Sequence, residues 1–395
     1  MSQLLSEAAE NADNYEPKES ERHAGNHSKR IVTLFGETSP IKRTYWYDEE
    51  THKGHFPFDE KLGLIGRYTP AASADMVRCA VDHPFADAAK EFSSKHAFKI
   101  SADTIRDIVK KQYKTVLKFA KENNSSKEDN DKQIPLACIV ADGTGIPLRK
   151  KSLQGAKGKN GKAKTREVKA GAIFLASNTS ENEPHRNVDT TSYVATTYRA
   201  EKFGRILRDE FDRRFGKLPE TTLYITDGGK WLQTIQKNHF SFAIPVLDIY
   251  HALEHLTPLM LGLGFKENTK NWKYYYKRWS KFIKEGKTKK MLDYILKNLN
   301  DKLRGDAKRE YKYYENNLDR MKYDEYRKNG WFIGSGVIES GCKNVIGKRF
   351  KQSGMMWSLK GAKSLLPLRT LYKSERLEEF FRFSIKDLQQ VDCAL

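Results

Sequence analysis

The sequence predicts an α/β protein in which a strand-rich domain carries a helical insertion and follows a helical region. Three observations support this. Two apolar runs, LACIVADGTG (136–145) and TLYITDGG (222–229), read as buried strands that deliver Asp142 and Asp227 at their ends. Strand-like and helix-like patterns alternate between and after them. A third acid, Glu339, sits in GSGVIESGC, where a Gly-rich entry passes into a helical pattern. Asp-Gly after a strand is also an ordinary turn, and a lone Glu on a helix is commonly surface. The weight therefore falls on three acids occurring together in these element types.

Taken in order, residues 1–40 are polar, charged and poor in aromatics, the composition of a disordered tail. Residues 41–70 place aromatics around a turn-like centre and suggest a small hairpin. His52 and His55 stand here near Asp48, Glu49 and Glu50, but without cysteines the cluster is a poor zinc site. Residues 71–121 turn helical. PFADAAKEF is a short helix, and Ser101 suits the N-cap of ADTIRDIVKKQ. A short helix, a turn and a capped basic helix make a helix-turn-helix layout, suited to DNA but shared by many helical hairpins. Arg106, Lys110 and Lys111 lie on its second helix. ENNSSKEDNDKQ at 122–133 is a polar linker.

The core begins at 134, and its first part runs to 251. One strand ends at Asp142, and others cover 165–177 and 191–198. A helix follows over 199–216, with Phe203, Ile206, Leu207, Phe211 and Phe215 on a helical period. Then come the strand to Asp227, a helix over 231–238 and the strand AIPVLDIYH. Three strands, helix, strand, helix, strand is the order of an RNase H-like domain, where the first and fourth strands are neighbours and each presents an Asp. Residues 252–330, rich in Lys and Tyr, read as a helical insertion. Its interleaved aromatics and cations could stack on flipped or single-stranded bases, while for any single Tyr burial in a helical subdomain is the favoured reading. Residues 331–395 carry the Glu339 helix and C-terminal helices. Lys343, Lys348, Arg349 and Lys351 follow Glu339 on that helix, able to face DNA.

The charge balance points to a class of partner. The 395 residues carry a formal charge of +20. That argues for a polyanion, since Lys and Arg displace counterions from nucleic-acid phosphates. RKKSLQGAKGKNGKAKTR (149–166) has eight basic residues and no acid. It contains Lys157, Lys159, Lys162 and Lys164 and reads as a mobile Gly-rich loop directly after the Asp142 strand. No apolar run reaches membrane-spanning length and no signal-peptide layout is present, so a soluble intracellular protein is expected. Cys79, Cys138, Cys342 and Cys393 form no CxxC pair, which disfavours a zinc knuckle or disulfide framework. Carboxylates suit hard divalent cations, and Mg²⁺ typically takes one or two per ion. Two such ions about 3.5–4 Å apart can clamp the attacking and leaving oxygens of a phosphoryl transfer.

Several segments together carry a resemblance. DGTGIP, GKAKTREVKAGAIF, TSYVAT, TDGGKW, LDIYHALEHL, GSGVIESGCKNVIGKRFKQSGMMW and LKGAKSLLPLR resemble bacterial insertion-sequence transposases of the ISKra group. That group is Mutator-like and belongs to the DDE superfamily. The resemblance runs from about residue 45 to about residue 383. It implies an RNase H-like catalytic domain with a helical insertion. It also implies metal-dependent cutting and joining of double-stranded DNA, at transposon ends and target, by a homo-oligomer in the bacterial cytoplasm at the nucleoid, away from membranes. By position, the catalytic and metal-binding Asp-Asp-Glu triad falls on Asp142, Asp227 and Glu339, with two Mg²⁺ ions for which Mn²⁺ can substitute. The group's motif of Cys or Asp, two residues, then His falls on Asp248 and His251, which would support the site. One departure is plain: relatives often carry a Cys-x-x-Cys knuckle where this chain has TYWYDEETHKGHFPFDEKLGL, so no zinc is expected. A catalytically silent DNA-binding relative would need only the N-terminal helices and the charge, whereas an RNase H-like nuclease acting on branched DNA would use the same acids.

Overall fold

Where the chain carries long runs of strand-forming residues, hairpins build its sheets, and helices cover them. The structure, a computed structural model, describes residues 3, 5–7, 15–96, 98–122, 134–154, 157–158, 161–178 and 184–391, with 157–158, 161–162, 178 and 388–391 by backbone alone. The polar linker expected at 122–133 lies outside the described residues from 123 onward. The chain divides into two units, one joining Met1–Asn123 to Lys348–Leu395 and the other spanning Asn124–Gly347.

The first unit opens with an antiparallel sheet of β1 (Glu21–Lys29), β2 (Ile41–Asp48) and β3 (Lys53–His55), in that order. The expectation of a disordered tail over 1–40 is therefore corrected from Glu21 onward. Polar β1 lacks an apolar alternation, but its partner supplies the contacts. His23 meets Trp46 edge-on at 5.8 Å, and His27 meets Tyr45 at 5.5 Å. Such cross-strand aromatic pairs stabilise a sheet without a deep core. His55 lies between Glu21 (3.1 Å) and Glu60 (3.0 Å), linking the small sheet to the short helix Pro57–Lys61. Helices α1 (Pro70–Asp82), α2 (Phe85–His96) and α3 (Ala102–Glu122) follow. Ser101 Oγ accepts from the Thr104 amide at 3.1 Å, as an N-cap should. The helix α3 buries Ile105, Ile108, Val109, Val116 and Phe119 on one stripe.

The second unit is built on a mixed sheet. Its strands are β4 (Leu136–Pro147), β5 (Thr165–Asn178), β6 (Ser192–Thr196), β7 (Thr221–Thr226) and β8 (Ile244–Leu247), with α4 (Ala200–Arg214) before β7 and α5 (Lys230–His239) before β8. The order across the sheet is β6-β5-β4-β7-β8, with the short strand Pro184–Arg186 also beside β5. The pairs β4–β5 and β5–β6 are antiparallel, and β4–β7 and β7–β8 are parallel. The expected α/β class holds.

One boundary differs from expectation. The strand β4 does not end at Asp142; Asp142 pairs with Ala170 and the ladder runs on to Pro147 opposite Thr165. The DGTG segment reads as a turn from its own residues, yet β5 offers it a full partner. The two glycines leave room there for side chains of β5. A Cβ on Gly143 would lie 2.6 Å from Glu167 Oε1, and one on Gly145 would lie 2.9 Å from Thr165 Oγ1. Downstream, the expected mobile loop contains a short antiparallel pairing, Lys157 with Lys162 and Gly158 with Gly161.

Pleat alternation divides the sheet's faces. Ala137, Ile139, Ala141, Ile173 and Tyr224 pack under Phe203, Leu207 and Phe211 of α4 and Leu232 and Ile235 of α5. Cys138, Val140 and then Asp142 alternate onto the opposite face. The insertion is a set of helices in which Trp279, Tyr314 and Tyr323 are fully buried and Tyr311 and Tyr326 nearly so. These are five of the thirteen aromatics in 252–330, and Tyr274 is 57% exposed.

The segment expected as one piece over 331–395 is divided. In the second unit α6 (Ile249–Glu254) follows β8, and α7 (Gly336–Gly341) carries Glu339 and passes into a π-helical turn, Cys342–Gly347. From Lys348 onward the chain belongs to the first unit, whose helices Leu359–Lys373 and Leu377–Val391 pack on α1 and α3. There Arg78 forms a two-pronged pair with Glu378, both bonds at 2.8 Å.

Candidate active site

The parallel register of the sheet puts three acids at one level. Ala141 pairs with Thr226, and Thr226 with Leu247. The next residues are Asp142, still within β4, and Asp227 and Asp248, just past the ends of β7 and β8. By the same alternation all three belong to the face carrying Val140, Ile225 and Val246. The helix α7 packs on this face, against β4 and β5. Gly341 allows that approach, because a Cβ there would be 3.0 Å from the Tyr193 ring of β6. Cys342 Sγ, at the end of α7, is 3.9 Å from Asp142 Oδ2.

Local hydrogen bonds hold the acids differently. Asp142 Oδ1 accepts from the Gly143 amide at 2.6 Å, and Asp227 Oδ1 from the Gly229 amide at 2.7 Å. Burial holds the Asp142 carboxyl above its ordinary range. The negative charges of Asp227 and Glu339 add to this, against the Gly143 amide and His251. That pattern is what converging carboxylates produce. Asp248 is fully buried. Its Oδ1 accepts from the Tyr250 and His251 amides at 2.6 and 3.3 Å, capping α6. Its Oδ2 accepts from the Ser335 amide at 2.6 Å and from the Ser335 hydroxyl. Asp248 thereby ties the end of β8 to the entry of α7.

Glu339 is exposed and lies in a cluster with Asp248 and His251, with ligand atoms within 4.8 Å of one another. His251 Nδ1 also meets Glu254 Oε2 at 3.1 Å. Among the described residues no three-residue cluster of that tightness joins Glu339 to Asp142 and Asp227. Both oxygens of Asp248 are already occupied by neutral donors, so it is better suited to bracing than to coordination. Asp142 and Asp227 keep one oxygen each away from the amide bonds, and Glu339 faces solvent. Three carboxylates of this kind suit a hard divalent cation in charge and donor type.

The other sequence-derived candidates have varied surroundings. Arg106 and Lys110 pair within α3, with Asp103 at 2.8 Å and Asp107 at 2.7 Å. Lys111 is exposed on the same helix. Lys164, Lys343 and Lys348 are exposed, Lys157 and Lys162 are described by backbone alone, and Lys159 lies outside the described residues. Arg349 is a correction. Expected to face DNA, it is fully buried between Phe85 and Trp357, each ring centroid 5.0 Å from its guanidinium, with Nε donating to the Ala80 carbonyl at 2.9 Å. Burial, with Arg369 nearby, pushes it down to about 9. Its basic neighbours in KRFK hide this role; the aromatics that enclose it are distant in sequence.

Sequence reasoning did not find Ser335, Tyr313 or Arg320. Arg320 Nη2 donates to Thr226 Oγ1 at 2.8 Å and to the Asp227 carbonyl at 3.3 Å. Nothing in a Lys/Arg-rich insertion distinguishes this arginine from its neighbours. Among the described residues no helix is long and apolar enough to cross a membrane. A comparison with curated proteins finds no match. A family model matches residues 1–380, nearly the whole chain, and the protein belongs to that family, the uncharacterised protein family UPF0236.

Proposed function

We propose that this protein is a DDE transposase that cleaves insertion-sequence ends and joins them to target DNA, with a catalytic unit of RNase H-like design. The observation that carries the reading is the common level of Asp142 and Asp227 on adjacent parallel strands, with the Glu339 helix packed over the same face. The strand order, with three antiparallel strands followed by two parallel to the first, supports the same design. The +20 charge supports a nucleic-acid substrate.

Asp142, Asp227 and Glu339 are the residues that would hold two Mg²⁺ ions, with Mn²⁺ as a substitute. Bound there, the ions would activate a water or a 3′-OH and stabilise the leaving oxygen. The protein's own residues do the rest. Asp142, flanked by the other two acids, supplies the charge that would be shared. The Gly143 and Gly229 amides fix the orientation of Asp142 and Asp227. Asp248 braces α7 through Ser335, and His251 stands beside Glu339. Lys343, exposed on the turn after Glu339, and Lys348, exposed as well, are the candidates for phosphate contacts. No serine or tyrosine nucleophile is invoked, so no covalent protein–DNA intermediate forms.

The test is a strand-transfer assay on the full chain with Mg²⁺ and DNA carrying the element's flanking sequences. The expected result is cutting at the ends and joined products, both lost in Asp142→Asn with DNA binding retained. Cleavage of branched DNA without joining would instead identify a nuclease. Binding without either reaction under Mg²⁺ or Mn²⁺ would identify a silent DNA-binding relative.

A further inference from the structure

The last third of the helical insertion reaches back to the ends of β7 and β8. Four contacts fall within a short stretch of it. The Tyr313 ring covers Gly228, where a Cβ would lie 2.3 Å from it. Arg320 Nη2 reaches Thr226 Oγ1 (2.8 Å), the Asp227 carbonyl (3.3 Å) and the Val246 carbonyl (3.4 Å). The Tyr323 hydroxyl donates to the Leu247 carbonyl at 2.9 Å, and that of Tyr326 to the Pro245 carbonyl at 3.4 Å. Arg320 is itself held: its Nη1 donates to Asn317 Oδ1 at 2.9 Å, which also accepts from Gln233 Nε2 of α5 at 3.3 Å.

The chemistry of Arg320 is unusual. It is 8% exposed, its acceptors are all neutral, and its Nε is buried without a partner. A buried guanidinium without a paired carboxylate costs several kcal/mol in order of magnitude. An apolar side chain would fill the space at less cost. What an apolar side chain cannot do is bind the ends of two parallel strands at once, at the last rungs of their ladder. At that point the backbone leaves the sheet and must carry Asp227 and Asp248 in fixed directions.

We infer that the insertion is a clasp that sets the position of Asp227, and that Arg320 is its positioning residue. This rests on the reading of Asp227 as a metal-holding carboxylate. It gives the insertion a role in the catalytic unit, besides any contact with DNA. The planar fork of Arg320, rather than its charge, is the working feature, because Nη2 serves the two strand ends while Nη1 is anchored on Asn317, a division that one nitrogen cannot make. Lysine would keep the charge and lose the fork.

Two measurements on the full chain without DNA test this. The first is hydrogen exchange of peptides covering 222–231 and 244–250. In Arg320→Lys, exchange there should rise about tenfold or more, while peptides within 168–175 keep wild-type protection. Tyr323→Phe, a milder change, should loosen 244–250 alone. The second is Mn²⁺ affinity by electron paramagnetic resonance, which should fall about tenfold or more in Arg320→Lys, the scale of losing a partner that orients a ligand. Unchanged protection of 222–231 in Arg320→Lys would overturn the clasp; should that variant not fold, unchanged exchange of 244–250 in Tyr323→Phe would do so. Mn²⁺ affinity equal to wild type alongside raised exchange would overturn the positioning role. A wild-type chain that shows the exchange pattern but neither binds Mn²⁺ nor cuts DNA would remove the transposase reading, and with it the positioning role, leaving the clasp as an architectural contact.

Discussion

At the scale of single residues, Asp142 and Asp248 show how neighbouring acids take opposite roles. Burial, together with Asp227 and Glu339, raises the Asp142 carboxyl above its ordinary value of 3.8. A raised acid binds its proton more tightly in the folded chain, so the linked stability is fully present below pH 3.8 and is lost as pH rises through the folded value. Asp142→Asn mimics the protonated form. It should melt higher than wild type at pH 7 in metal-free buffer, with the difference vanishing near pH 3.8, while cleavage falls to background. Thermal melts across pH check this, and a melting point below wild type at pH 7 would refute it. Asp248 serves as a brace, accepting from three amides and a hydroxyl. In Asp248→Asn an NH₂ must face a donor. A loss of about 1–3 kcal/mol is expected, the cost of a buried unsatisfied group. Urea unfolding measures it, and an unchanged midpoint would show that Ser335 is not held by this carboxylate. Asp142 and Asp227 were legible in the sequence because apolar runs led into them. The brace was not, since Ser335 lies 87 residues from its partner.

At the scale of elements, strands buried by their own composition were legible and strands completed by partners were not. β7 and β8 announce themselves as apolar runs. The far half of β4 does not, because Gly143, Thr144 and Gly145 favour a turn until the long hairpin arm β5 pairs with them. Strand β1 was missed for the same reason, its support coming from the aromatics of β2. The segment after Glu339 shows a third case, in which adjacent basic residues have unlike fates. Lys348 is exposed and Arg349 is buried under two aromatic rings. Lys348→Ala should leave stability within about 0.5 kcal/mol and weaken DNA binding. Arg349→Ala should cost about 2–4 kcal/mol, by removing packing and stranding the Ala80 carbonyl. Chemical denaturation paired with a DNA titration separates them; a stable Arg349→Ala protein with impaired DNA binding would restore Arg349 to the DNA-facing surface.

At the scale of the whole molecule, the +20 charge must be divided between nonspecific attraction and recognition. Phosphate contacts release counterions, so each one steepens the fall of log K with log salt by roughly 0.9 on duplex DNA. Base-edge contacts are directional and worth about 1–3 kcal/mol of discrimination. The 149–166 segment, with eight cations, no acid and a high glycine content, has the charge for the first and little means for the second. The helix α3 presents Arg106 and Lys110 on its exposed side, each tied to an acid one turn away. Exposed pairs of this kind are worth about 0–1 kcal/mol and exchange readily for a stronger acceptor. Neutralising Lys157, Lys159, Lys162 and Lys164 together should therefore lower affinity for all sequences alike and flatten the salt slope by roughly one unit per lost contact. Arg106→Ala should leave the slope almost unchanged and narrow the gap between element-end and random DNA. Titrations at several salt concentrations, with both DNAs, read out slope and gap independently. If the lysine variant loses selectivity and the Arg106 variant keeps it, recognition lies in the 149–166 segment and α3 is a solvated helix face.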